Sequence, residues 1–112
     1  MPAAPALLAE SAHGAVRRRR GDLELQFGEV ALALGPGDLV RVREMLAPVV
    51  AQAEGAGAGR GWALRATTRH QAASFRLYGQ DARHLADLID SALTVLRLDA
   101  LLLDPTRPRA AA

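Results

Sequence analysis

The stretch Leu23-Glu24-Leu25-Gln26-Phe27-Gly28-Glu29-Val30-Ala31-Leu32-Ala33-Leu34 decides the fold class. Leu23, Leu25 and Phe27 alternate with Glu24 and Gln26, and Val30, Leu32 and Leu34 alternate with alanines. Side chains along a strand point to opposite faces in turn, so each run reads as a strand with one buried face. Pairing Phe27 with Val30 leaves Gly28-Glu29 as a two-residue loop. Glycine at its first position suits a type II′ turn, whose twist matches the flanking strands. In that register every large apolar side chain falls on the same face.

Beyond the hairpin the period changes. After Gly35-Pro36-Gly37-Asp38, apolar residues recur at Leu39, Val42, Met45, Leu46, Val49 and Val50, the spacing of a helix with one buried stripe. Asp38 is the expected cap. Pro48 removes a backbone bond to Glu44, so a kink or an early end is expected there. The same grammar returns about 43 positions later. Ala73, Phe75 and Leu77 lead through Tyr78-Gly79-Gln80-Asp81 into Ala82, Leu85, Leu88, Ile89, Ala92 and Leu96. The helix is expected to continue through Leu101, Leu102 and Leu103 until Asp104-Pro105 stops it. Upstream, Trp62, Leu64, Ala66 and Thr68 alternate with Ala63, Arg65, Thr67 and Arg69, giving a strand that turns near His70-Gln71.

The expected fold class is α+β: two ββα units, an internal repeat, forming a four-stranded antiparallel sheet with two helices packed on one face. The expected organisation is a mobile basic N-terminal arm over residues 1–20 and a ββα-ββα domain over 21–104. A flexible Gly/Ala linker is expected at 53–61 and a disordered tail at 105–112. A chain of 112 residues fits one domain but buries only about two-thirds of its unfolded surface, which makes self-association a natural source of stability. Cysteine is absent, which removes disulfides, thiolate metal sites and cysteine nucleophiles together. No stretch reads as a membrane span or an export signal, so a cytoplasmic location is expected. Every basic residue is arginine, and Ala, Gly, Leu and Pro are abundant, a bias that reads as a GC-rich bacterial gene.

Familiar catalytic patterns fail on spacing. Gly55, Gly57, Gly59 and Gly61 follow a helix rather than a strand and lack the Gly-Lys-Ser/Thr ending of a phosphate loop. His13, His70 and His84 show no metal-ligand spacing, so neither a metal nor a cofactor is expected. Ser11, Ser74 and Ser91 stand outside any nucleophile motif. Asp87 and Asp90 could present paired carboxylates, but Arg83 four residues before Asp87 suggests an intrahelical ion pair instead. The expectation is that the chain is not an enzyme.

Two sets of residues remain as candidate sites. Arg65, Arg69, Arg76 and Tyr78 fall on the uncovered sheet face, with Glu24, Gln26, Ala31, Ala33, Thr67 and Ser74. Together with Arg17, Arg18, Arg19 and Arg20 in the arm, they form a possible track for an anion or for single-stranded DNA or RNA. The alternative for the same arginines is a strand face kept soluble by charge. The second set is Ala31, Ala33, Leu98, Leu101, Leu102 and Leu103, whose small or surplus apolar side chains suit a contact with another protein. Its alternative is that the leucines lie under the N-terminal arm.

The doublet of strand hairpin and helix resembles, in topology alone, the sheet-plus-helix nucleic-acid binders of the PUR and Whirly type, and it carries over no signature residue from them. The resulting expectation is a small non-catalytic binding or assembly module, homodimeric or bound to another protein, away from membranes. A single-stranded nucleic-acid binder is the alternative.

Overall fold

The computed structural model describes residues 7–55 and 60–103, the side chain of Leu103 excepted. Six strands and two helices follow in the order β1 (Leu7–Glu10), β2 (Gly14–Arg19), β3 (Asp22–Phe27), β4 (Val30–Leu34), α1 (Pro36–Gly55), β5 (Gly61–Thr67), β6 (Ala72–Tyr78) and α2 (Asp81–Leu103). The class is α+β with a four-stranded antiparallel sheet, but its four strands are not those expected from the sequence. The sheet is the meander β1-β2-β3-β4, and β5-β6 forms a separate two-stranded sheet.

The β3-β4 hairpin has the register read from its alternation, with Phe27 opposite Val30. Gly28 takes the left-handed φ of 61° that the first position of a type II′ turn demands. The N-terminal region departs from expectation. Leu7–Glu10 and Gly14–Arg19 are strands where the sequence predicts a mobile arm. Val16 aligns with Leu25, and Leu25 with Leu32, so a fully buried row crosses three strands. Two residues carry the chain from β2 into β3: Arg20 and Gly21, with φ of 47° and 87°, the paired left-handed conformations of a type I′ turn. In β1 the register slips between Leu7 and Ala9. Such a bulge sets two residues against one, and it lets both Leu8 and Ala9 join the core.

Helix α1 begins earlier than Asp38. Leu39 N–H donates to Gly35 O at 3.1 Å, which makes Gly35 the cap and places Asp38 in the first turn. From there its Oδ2 accepts from Gly35 N–H at 3.0 Å, the backward half of a capping box. In α2 the bond from His84 N–H to Gln80 O makes Gln80 the cap, and Asp81, the first helical residue, accepts from Tyr78 N–H at 2.9 Å. Pro48 neither ends the helix nor stands in its core. It is exposed, as is Glu44, so water can reach the carbonyl that loses its partner, and buried Val50 holds the last turn down. Ala53–Gly55 therefore belong to α1 rather than to a linker. Residues 56–59 of that linker, residues 1–6 of the arm and the tail at 105–112 lie outside the described residues.

The core is apolar, and no polar or charged residue among the described ones is buried. α1 contributes Leu39, Val42, Leu46 and Val50. α2 contributes Ala82, Leu85, Ala86, Leu88, Ile89 and Ala92. α1 packs against α2 and β5, while α2 also meets β1, β2 and β6. Arg43 on α1 forks onto Asp90 of α2, with Nε to Oδ1 at 2.8 Å and Nη2 to Oδ2 at 3.2 Å. Arg83 reaches Glu54 at 3.3 Å. Contacts advancing along α1 therefore retreat along α2, and the helices run antiparallel. The hydrogen bonds that Arg43 donates to the Asp90 carboxylate raise the guanidinium pKa above its ordinary value, against a smaller opposing effect of burial. The guanidinium is charged at any pH at which the protein is folded.

No described helix is long and apolar enough to cross a membrane. Replacing Asp38 or Asp81 with alanine is expected to cost about 1 kcal/mol each, read as an earlier urea midpoint. Phe75→Ala, at a side chain only 1% exposed, is expected to cost about 3–5 kcal/mol in the same measurement.

Candidate binding surfaces

The second hairpin is positioned by its turn. Strand β5 ends at Thr67, opposite Ala72, so Thr68–Gln71 form a four-residue connection, one step wider than the alternation suggested. Thr68 N–H donates to Gln71 O at 2.8 Å and closes the turn. Thr68 Oγ1 then donates to Ala33 O at 2.8 Å, and Gln71 Nε2 to Ala31 O at 3.2 Å. These side chains take up the carbonyls on the free edge of β4, where a continuous sheet would have used backbone N–H groups. His70 bonds to Asp22 beside them. The hairpin is thus fastened to the larger sheet at its turn.

Fastened in that way, the hairpin buries Leu64, Ala66, Phe75 and Leu77 and exposes Arg65, Thr67, Ser74, Arg76 and Tyr78. Arg65 stands opposite Ser74 and Arg76 opposite Ala63, so the two arginines are diagonal neighbours rather than a facing pair. That arrangement eases the repulsion a direct pair would suffer. Arg69 lies in the turn. Arg65, Arg69 and Arg76, and also Arg17, Arg20, Arg60 and Arg97, have no carboxylate within 4.0 Å among the described residues, whereas Arg18, Arg19, Arg41 and Arg43 each have one and Arg83 has two.

The basic run is divided by its strand. Arg18 points to the helix side and bonds Asp99 of α2. Arg17 is opposite Glu24, and Arg19 Nε lies 3.7 Å from Glu24 Oε1. Arg20 occupies the exposed turn. Arg17, Arg18 and Arg19 belong to β2, and Arg18 and Arg19 already have acidic partners.

The apolar candidates separate in a similar way. Ala31 and Ala33 lie on β4, and their carbonyls bond within the chain. At the end of α2, Leu98 is 53% exposed, Leu101 50% and Leu102 80%. The leucines therefore do not lie under the described part of the N-terminal segment. Leu103 is the last residue of α2.

Two arrangements were not legible in the sequence. His13, in the β1-β2 turn, stacks on His84 of α2 with ring centroids 4.2 Å apart. A cleft of about 540 Å³ opens beside this pair, between the β3-β4 turn and β6, with His13, Glu29, Ser74, Arg76 and Asp81 at its rim. No His, Cys, Asp or Glu cluster able to hold a metal ion occurs among the described residues. The carboxylates of Asp87 and Asp90 are both engaged by arginine, Asp87 by Arg83 at 4.0 Å and Asp90 by Arg43.

Replacing Thr68 with valine keeps the shape of the side chain but removes the hydroxyl that donates to Ala33 O and accepts from the N–H groups of His70 and Gln71. It is expected to cost about 1 kcal/mol, with faster hydrogen exchange concentrated in β5 and β6. No known protein family, curated protein or solved structure matches this chain.

Proposed function

We propose that this protein is a non-catalytic binding and assembly module that pairs with a second copy of itself through the C-terminal end of α2. The observation that carries the reading is the exposure of Leu98, Leu101 and Leu102. At about 100° per residue, Leu98 falls on the side of the helix opposite buried Ile89, and Leu101 and Leu102 flank it. The stripe is separate from the one that serves the chain's own core. Covering it in a twofold contact, residue against equivalent residue, is worth on the order of 1 kcal/mol for each leucine.

The helix end is favoured over the β4 edge because the carbonyls of Ala31 and Ala33 already accept bonds from Gln71 and Thr68. The non-catalytic part of the reading is supported by the engagement of Asp87 and Asp90, which gives both carboxylates a structural role. We also read the two segments of strand pair and helix as copies of one unit. The matching bonds of Asp38 and Asp81, each to the N–H three residues back, support that reading.

Light scattering at micromolar concentration is expected to give twice the chain mass. The Leu98→Glu/Leu102→Glu double variant is expected to give the chain mass with an unchanged circular dichroism spectrum. A wild-type protein that stays monomeric throughout that range would rule the dimer out.

A further inference from the structure

We infer that the exposed face of the β5-β6 hairpin binds single-stranded nucleic acid, a role independent of the self-association proposed above. Charge segregation is the first ground. From Arg60 to Gln80 the chain carries Arg60, Arg65, Arg69 and Arg76 and no aspartate or glutamate. The formal net charge of the whole chain is only +2, so the remainder is net negative and the hairpin is a concentrated positive feature. Its three face and turn arginines, like Arg17, Arg20, Arg60 and Arg97, have no carboxylate within 4.0 Å among the described residues, so they can reach an anion without first breaking an ion pair.

The second ground is the relief of the face. The register sets Tyr78 opposite Gly61, Arg76 opposite Ala63, and Arg65 opposite Ser74. Each large side chain meets a small one across the strands, and no bulky group stands between them. Tyr78, Arg76, Arg65 and the turn residue Arg69 consequently form a line along the hairpin. Successive rows on one face of a strand are about 6.8 Å apart, the same order as the phosphate spacing of an extended nucleic-acid strand. Guanidinium groups can each grip a phosphate by two parallel hydrogen bonds.

The third ground is the seat of Tyr78. A Cβ at position 61 would lie 2.4 Å from its Cε1 and 2.8 Å from its Cδ1. The ring is therefore laid across β5, in space that only a glycine leaves open, while the residue remains 52% exposed. An aromatic ring held against a strand in this way is a platform on which a base can stack, next to a cation that can hold its phosphate.

The test is fluorescence anisotropy with labelled oligo(dT) and oligo(U) of about 12 nucleotides, titrated from about 20 to 200 mM salt. With three phosphate contacts the wild type is expected to show a log–log salt slope of about −2, a loss of roughly a hundredfold across a tenfold rise in salt. Arg65→Ala/Arg76→Ala is expected to reduce the slope by about 1.4. Tyr78→Phe is expected to keep affinity, and Tyr78→Ala to weaken it about tenfold with little change of slope. Gly61→Ala, which displaces the ring, is expected to act like Tyr78→Ala. Arg83→Ala, a cation on the helix layer, is expected to change neither quantity. Circular dichroism checks that each variant is folded, and light scattering reports the oligomeric state separately. Absence of binding at the lowest salt would overturn the proposal. So would a double arginine variant that binds as the wild type does, or a poly-glutamate competitor that displaces the oligonucleotide at equal charge concentration.

Discussion

The second hairpin meets the free edge of the large sheet through two hydrogen bonds, from Thr68 to the carbonyl of Ala33 and from Gln71 to that of Ala31. A strand at the edge of a sheet presents unpaired carbonyl and N–H groups that invite another strand. Here part of that edge is satisfied by side chains from the turn of the following hairpin. Among the described residues no ladder joins the hairpin to the sheet, yet β6 lies beside β4. The hairpin is held near the sheet without being part of it, and the cleft bordered by Glu29 and Ser74 opens beyond the point of attachment. The direction of the arginine face follows from how that turn is fastened.

The parts of the fold legible in the sequence are those in which one periodic signal dominates. The β3-β4 register and the apolar stripes of both helices were of this kind. The first two strands escaped because β2 has only one large apolar residue, Val16, among small residues and arginines. The bulge in β1 also interrupts the alternation around Leu8. The Arg20-Gly21 pair was the available signal, since a residue followed by glycine between two short runs suits a tight hairpin turn. Asp38 reads as the cap itself, whereas it stands three positions further into the motif, behind Gly35. The missing N–H of Pro48 predicts a break, but its effect depends on the side of the helix it occupies, and that side is exposed.

The surfaces were legible to a lesser degree. Sequence alternation placed Arg65, Arg76 and Tyr78 on the open side, but their lateral pairing depended on a turn whose length the pattern did not determine. Whether an arginine has an acidic partner is a long-range property. Arg18 meets Asp99 and Arg43 meets Asp90 only because α2 crosses both the sheet and α1. The contact between His13 and His84 is of the same kind, since it joins residues from opposite ends of the chain.

Helix α2, the last element, packs against β1 and β2, the first. All four strands of the large sheet are complete by Leu34, and their pairings are between chain neighbours, so the meander can form early and cheaply in loop entropy. Its apolar side near β1 and β2 nevertheless stays open to water until α2 has been synthesised. Closing the core therefore requires contacts of long sequence separation, such as that between Arg18 and Asp99, 81 positions apart.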